Sequence, residues 1–188
     1  MDRIDAQGYR ANVGIIVTDG GGRVLIGGRV GRSGWQFPQG GIRSEESVED
    51  AMYRELNEEI GLASEDVETL GATEDWLRYR LPERFVRRQQ IPVCIGQKQR
   101  WYLLRLLTNP ERVRFNTTKE PEFDRCRWVD YWRPVKEVIY FKRQVYVRAL
   151  NELGPLAFPQ NGPPPPPDWW PRRWHRILQG ACPETSGV

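Results

Sequence analysis

The period of apolar and polar positions changes several times along the chain, and each change predicts an element. Asn12 to Thr18 is apolar and β-branched, Asp19 to Gly22 is a polar, glycine-rich turn, and Arg23 to Gly28 is a second short apolar run. That order predicts a β-hairpin. A glycine-rich, aromatic loop follows from Gly31 to Gly41. Val48, Met52, Leu56 and Ile60 then recur at helical spacing and predict one buried helix stripe. Ser44 is the expected N-cap, Glu45 and Glu46 suit the positive end of the helix dipole, and Gly61 supplies a left-handed stop. Val67 to Tyr79, Gln99 to Leu107 and Arg125 to Trp132 read as extended. A second helix is expected from near Pro134 to about Leu153, where Gly154 ends it.

Beyond Gly154 the pattern dissolves. Pro155, Pro159, the run Pro163 to Pro167, Pro171 and Pro183 are incompatible with a central strand or an unbroken helix. The chain therefore divides into one domain over residues 1–154 and a Pro/Trp-rich tail over 155–188, expected to be extended and disordered. Trp169, Trp170, Arg172, Arg173, Trp174, His175 and Arg176 in that tail suit stacking on bases or docking on an unidentified protein partner. Lying loosely on its own domain is the other reading.

Composition narrows the chemistry. The chain has 188 residues, enough for one sizeable core. Its longest apolar runs, such as Ile15 to Val17 and Val138 to Phe141, fall far short of the ~20 residues of a membrane span. Met1 to Asp5 has no apolar leader. Cys94, Cys126 and Cys182 lie far apart and odd in number, which argues against disulfides or zinc and for a cytoplasmic setting. With His175 as the one histidine, any catalysis falls to carboxylates. The formal net charge is +3, but Arg78, Arg80, Arg84, Arg87, Arg88, Lys98, Arg100 and Arg105 face only Glu83 in their stretch. Interleaved with Trp76, Tyr79, Phe85 and Trp101, they form either a polyanion footprint or a solvated basic face.

On the first helix Glu55, Glu58 and Glu59 stand at i, i+3 and i+4, about 5–6 Å apart at Cβ. Arg54 and Glu46 lie two turns apart along the same side. Carboxylates so crowded are tolerated when a hard divalent cation neutralises them, and oxygen-only ligands select Mg²⁺ or Mn²⁺. Magnesium also binds phosphates, which points to phosphate chemistry. A solvated acidic helix face is the alternative that spacing alone leaves open.

Spacing is not alone. Gly40, Glu46, Arg54-Glu55-Leu56, Glu58-Glu59 and Gly61-Leu62 match all nine fixed positions of a 23-residue pattern, G-x5-E-x7-R-E-U-x-E-E-x-G-U with U aliphatic. This is the Nudix box, and by this resemblance the chain is identified as a member of the Nudix hydrolase superfamily. The resemblance implies an α/β fold, an α/β/α sandwich around a mixed β-sheet with a loop-helix-loop metal site. Blocks outside the box narrow it further. Gly8-Tyr9-Arg10, Trp35 to Gly41, Ala51 to Leu56, Trp76 to Tyr79, Cys94 to Gln99, Pro121 to Asp124, Trp128 to Trp132 and Phe141 to Arg143 resemble the bacterial RNA pyrophosphohydrolase subfamily. The same blocks are similar to dinucleoside polyphosphate hydrolases of plants and bacteria. Residues 155–188 lie outside the resemblance.

The resemblance implies that Glu55, Glu58, Glu59 and Glu122, with the Gly40 carbonyl, ligate Mg²⁺, Mn²⁺ or another divalent cation. Glu59 or Glu122 would accept the proton of the attacking water, and Arg54 would hold a box carboxylate in place. Arg10 is similar to the residue that contacts the 5′-phosphates, and Arg29, Tyr79, Ile139, Phe141 and Lys142 match positions near the nucleotides. The implied activity is removal of pyrophosphate from 5′-triphosphorylated RNA, leaving a 5′-monophosphate and promoting 5′-end-dependent mRNA decay. No DNA or membrane partner is expected. Hydrolysis of dinucleoside polyphosphates is one alternative, and a non-catalytic RNA- or protein-binding Nudix module is another. One departure concerns Ile42 to Glu46, where relatives usually carry Pro-Gly before the glutamate. Altered loop rigidity is expected there rather than lost activity.

Overall fold

The computed structural model describes residues 3–31 and 33–178. Cys182, Pro183 and the rest of the tail's end lie outside those residues, while Cys94 and Cys126 are free thiols. Among the described residues eight strands form one mixed sheet: β1 (Tyr9–Thr18), β2 (Arg23–Arg29), β3 (Trp35–Gln36), β4 (Gln39–Gly41), β5 (Val67–Ala72), β6 (Leu77–Arg80), β7 (Gly96–Leu106) and β8 (Phe123–Asp130). The helices are α1 (Val48–Ile60), α2 (Arg133–Glu137), α3 (Arg143–Ala157) and α4 (Arg172–Leu178). No helix among the described residues is long and apolar enough to cross a membrane.

The hydrophobic run of β1 sets the architecture. Its alternate residues Ala11, Val13, Ile15 and Val17 pack with Ala51, Met52, Leu56 and Ile60 of α1. Ile16 faces the opposite core, where Trp101, Leu103, Tyr146, Leu150 and Leu153 gather against α3. A strand apolar on both faces belongs in the middle of a layered fold. Accordingly β1 pairs in parallel with β7 along its whole length, from Tyr9↔Gly96 to Thr18↔Arg105. The expected hairpin is correspondingly reduced. β1 and β2 meet at Thr18↔Val24, after which β2 runs antiparallel to β8 and β4 takes the vacated side of β1, Asn12 opposite Gly41.

The N-cap of α1 is Ser47, not Ser44. Ser47 Oγ accepts from Asp50 N–H at 3.0 Å, and the Asp50 carboxylate accepts from Ser47 N–H in return, a capping box worth about 1 kcal/mol. Ser44 to Glu46 thereby stay in a loop, folded back so that Glu46 accepts from Arg43 N–H at 2.6 Å. Gly61 ends the helix at φ 70° as the pattern requires.

The second helix is broken. Val138 and Ile139 are extended (ψ 154° and 138°), and a single 3-10 turn, Tyr140–Lys142, precedes α3. This break frees Ile139, Phe141 and Lys142 from helical register so that they turn toward one cavity. α3 then runs past Gly154 and through Pro155 to Ala157, its last turn closed by Phe158 N–H on the Gly154 carbonyl at 2.9 Å.

Up to residue 178 the tail is not disordered. Phe158 meets Tyr131 edge-on at 5.0 Å, and Trp132 Nε1 donates to the Pro164 carbonyl at 2.7 Å. Trp170 packs edge-on against Trp132 at 5.1 Å, and Trp174 is buried beside it. Prolines are stiff before they dock and lose little entropy on docking. Buried tryptophans supply the apolar area that holds such a strap.

Candidate active site

The site begins with two glycines on β4. A Cβ on Gly40 would overlap the Glu55 carboxylate, and one on Gly41 would overlap the Arg10 guanidinium. Both positions must therefore be bare for a helix carboxylate and a strand arginine to share this floor. The register of β1 against β4 brings Arg10, two residues before Asn12, to that point.

Glu55 and Glu59 are buried on α1, whereas Glu58 is half-exposed. Arg54 ties the loop to the helix. It donates to Glu46 at 2.6 and 2.9 Å, to Glu55 at 2.6 Å, to Glu58 at 3.1 Å and to the Gly41 carbonyl at 2.8 Å. Arg54 and Glu46 thus meet, but from helix to loop rather than along one helix side. The bond from Arg54 holds the Glu46 carboxyl below its usual range. Burial dominates at Glu55, pushing its carboxyl up despite Arg54. Glu59 is pushed well up, first by burial and then by the neighbouring Glu122 charge, although Gln39 N–H donates to it at 2.9 Å. Glu122, just before β8, accepts from Gln36 Nε2 at 2.9 Å and lies 3.4 Å from Arg29 Nε.

Among the described residues no three carboxylates already converge on one point. The donor set nevertheless suits a hard cation: oxygen atoms only, two of the carboxylates buried, and like charges raising each other's proton affinity. Glu55, Glu58, Glu59 and Glu122 line one cavity of about 320 Å³, closed by Thr118 to Glu120. Thr117 fixes that closing loop by donating to the carbonyls of Asn57 and Glu58 at 2.9 and 2.7 Å.

Glu55 and Glu122 also line an adjoining cavity of about 550 Å³. All six residues expected near a nucleotide, Arg10, Arg29, Tyr79, Ile139, Phe141 and Lys142, line it, as does Gly40. Lys142 is buried, and desolvation lowers its ammonium to about 8 even though Glu122 pulls the other way. Tyr79 donates to Gln97 at 2.6 Å and lies 5.8 Å from the Phe141 ring. Phe141 sits on the 3-10 turn rather than in the last helix. Trp35 and Phe37 are packing residues. Phe37 is fully buried, with its N–H on the Tyr146 hydroxyl at 3.0 Å, and Arg127 lies 4.1 Å over the Trp35 ring.

The basic stretch does not form one footprint. β6 and β7 alternate, so Tyr79 and Gln97 face the cavity while Arg78 lies over the Tyr9 ring and Lys98 pairs with Asp5. Arg105 pairs with Glu68, Arg100 reaches the Glu74 carbonyl, and Trp101 is core. Arg87 and Phe85 of the intervening loop do reach the cavity. Gln36, Gln39 and Gln97 were not foreseen as cavity residues. Gln39 offers a backbone N–H rather than a side chain, a contribution invisible in residue type.

Comparison with known proteins places this arrangement. The NUDIX domain family matches residues 8–149. A protein of Alkalilimnicola ehrlichii called RNA pyrophosphohydrolase is 55% identical over 170 residues, covering 90% of this chain and 94% of its own. One of the same name from Pseudomonas putida is 59% identical over 152 residues, covering 81% and 96%. Among solved structures, the E. coli dihydroneopterin triphosphate pyrophosphohydrolase superposes with TM-score 0.58 at 17% identity, covering 72% of this chain and 91% of that one. At that identity the likeness concerns the fold.

Proposed function

The chain belongs to the NUDIX domain family, and from that premise we propose that it is an RNA pyrophosphohydrolase acting on the 5′-triphosphate end. The reading rests on one observation above the others: a single cavity joins cationic side chains and flat rings to Glu55 of α1 and to Glu122, both shared with the adjoining carboxylate cavity. Arg10, Arg29 and Lys142 are the proposed phosphate contacts. Phe141 and Tyr79 offer faces to a base, and Ile139 an apolar edge.

Glu55, Glu58, Glu59 and Glu122, with the Gly40 carbonyl, are the proposed ligands of a divalent cation, Mg²⁺ first and Mn²⁺ second. When bound, such an ion neutralises phosphate charge and lowers the pKa of a water held on it. Arg54 positions Glu55 and Glu58 without touching substrate. Glu59 is buried on α1 at the cavity it shares with Glu122, and we assign it as the acceptor of the proton lost by the attacking water. The water oxygen forms a new P–O bond, the phosphoanhydride P–O bond breaks, and pyrophosphate or successive orthophosphates leave a 5′-monophosphate. Such an end would enter 5′-end-dependent decay in the cytoplasm.

The deciding experiment is competition in Mg²⁺ between short 5′-triphosphate RNA and diadenosine pentaphosphate, comparing kcat/KM. The RNA is expected to win, with the preference lost on Phe141→Ala and Arg10→Ala. A preference for the dinucleotide would replace this reading with nucleotide clearance.

A further inference from the structure

The cavity holds a ligand of drug size, so any longer RNA must leave through its mouth, and the mouth is not bare. From Phe141 a chain of ring contacts leads outward: Phe85 lies 5.5 Å from it and Tyr140 5.4 Å. Phe85 is 43% exposed and Tyr140 52% exposed, both large for aromatic side chains beside a binding cavity. Between them lies the Arg84 guanidinium, 5.1 Å from the Phe85 ring and 5.9 Å from that of Tyr140. It also donates to the Tyr140 hydroxyl at 3.3 Å. Arg87 of the same loop lines the cavity itself.

Two elements far apart in sequence thus build one surface, the loop after β6 and the 3-10 turn before α3. Folding gains little from leaving two rings and a guanidinium plane in water. Flat faces alternating with positive charge are what a single nucleic acid strand requires, since each base has a π-face and each phosphate a negative charge. We propose that Arg84, Phe85 and Tyr140 form a ledge that stacks the nucleotides following those inside the cavity, so that the enzyme favours RNA longer than a dinucleotide. This rests on the RNA reading above and extends it from the 5′ end to the body of the transcript.

The test uses 5′-triphosphate RNAs of one, two, three and six nucleotides with the wild-type chain, Tyr140→Ala, Arg84→Ala and Arg84→Lys. Wild-type kcat/KM is expected to rise between two and three nucleotides. Tyr140→Ala and Arg84→Ala should lower it about tenfold for the longer RNAs, the scale of one lost base stack, and hardly at all for the shortest. Arg84→Lys keeps the charge but not the plane, and should resemble Arg84→Ala. A second readout needs no turnover. In RNA with 2-aminopurine at the third position, fluorescence should be quenched on binding wild type and less so on binding Tyr140→Ala.

Length-independent wild-type rates on RNA would overturn the ledge while leaving the RNA reading intact. Equal losses at every length would overturn it too, showing damage passed to Phe141. Failure of the wild type to act on RNA of any length, with dinucleoside polyphosphate cleaved, would remove the RNA reading and the ledge together.

Discussion

The face of α1 and the strap that follows α3 are opposite solutions to holding a structure. On α1 charged groups are gathered where they repel, and Arg54 spans Glu46, Glu55 and Glu58, with Arg43 adding an ion pair to Glu58. In the strap the contacts are apolar rings, Trp170 and Trp174 against Trp132 and the α3 core. The first arrangement spends stability on chemistry, because desolvated carboxylates gain proton affinity. The second adds stability and touches no cavity that carries the chemistry. Disrupting each should therefore give contrasting phenotypes.

The largest effect is expected from Glu58→Gln. Its side chain is 35% exposed, so the fold should survive with a thermal midpoint close to wild type. Turnover in Mg²⁺ should fall roughly 100-fold or more, the scale of removing one group that stabilises transition-state charge. Equal rates for the two proteins would break the carboxylate–cation mechanism and make the acidic face a structural feature.

Trp170→Ala should do the reverse. Truncating a buried tryptophan costs about 3 kcal/mol, read as a lower denaturation midpoint, while kcat/KM of the folded protein stays near wild type. Because a strap opens locally before the domain unfolds, protection of α4 amides from hydrogen exchange should fall first. Loss of activity without loss of stability would show that the strap serves the site after all.

These two regions also differ in how much of them sequence reveals. Arg54, Glu55, Glu58 and Glu59 act through a fixed helical spacing, so their neighbours are visible in the order of residues, whereas Glu46 reaches Arg54 from the loop before the helix. That Asn12 to Thr18 is a strand was legible too, in its apolar, β-branched run. What could not be read was long-range choice. The long partner of β1 is β7, distant in sequence, whereas local turn chemistry suggested β2. Apolar faces call for covering helices and do not say which strand pairs at the edge. The break at Val138 and Ile139 was hidden inside an apolar pattern that continues as if helical. Proline count argued for disorder after Gly154 because composition says nothing of Trp132, whose indole N–H awaits the Pro164 carbonyl.

The smallest predicted effect probes where the two regions meet. Lys142 precedes α3, the helix against which the strap packs, yet its side chain lines the substrate cavity. Burial lowers its ammonium to about 8, well below the usual ~10.4 for lysine. Below that pH it carries the charge that a phosphate needs, and above it the charge is lost. In the free enzyme kcat/KM should therefore decline as pH rises through about 8. Lys142→Arg, which stays charged, should flatten the decline over pH 7 to about 9.5. If Lys142→Arg still declined, another group would be responsible. If Trp170→Ala moved the midpoint, the strap would be setting the burial of Lys142 through α3, and the division between a chemical face and a supporting strap would no longer hold.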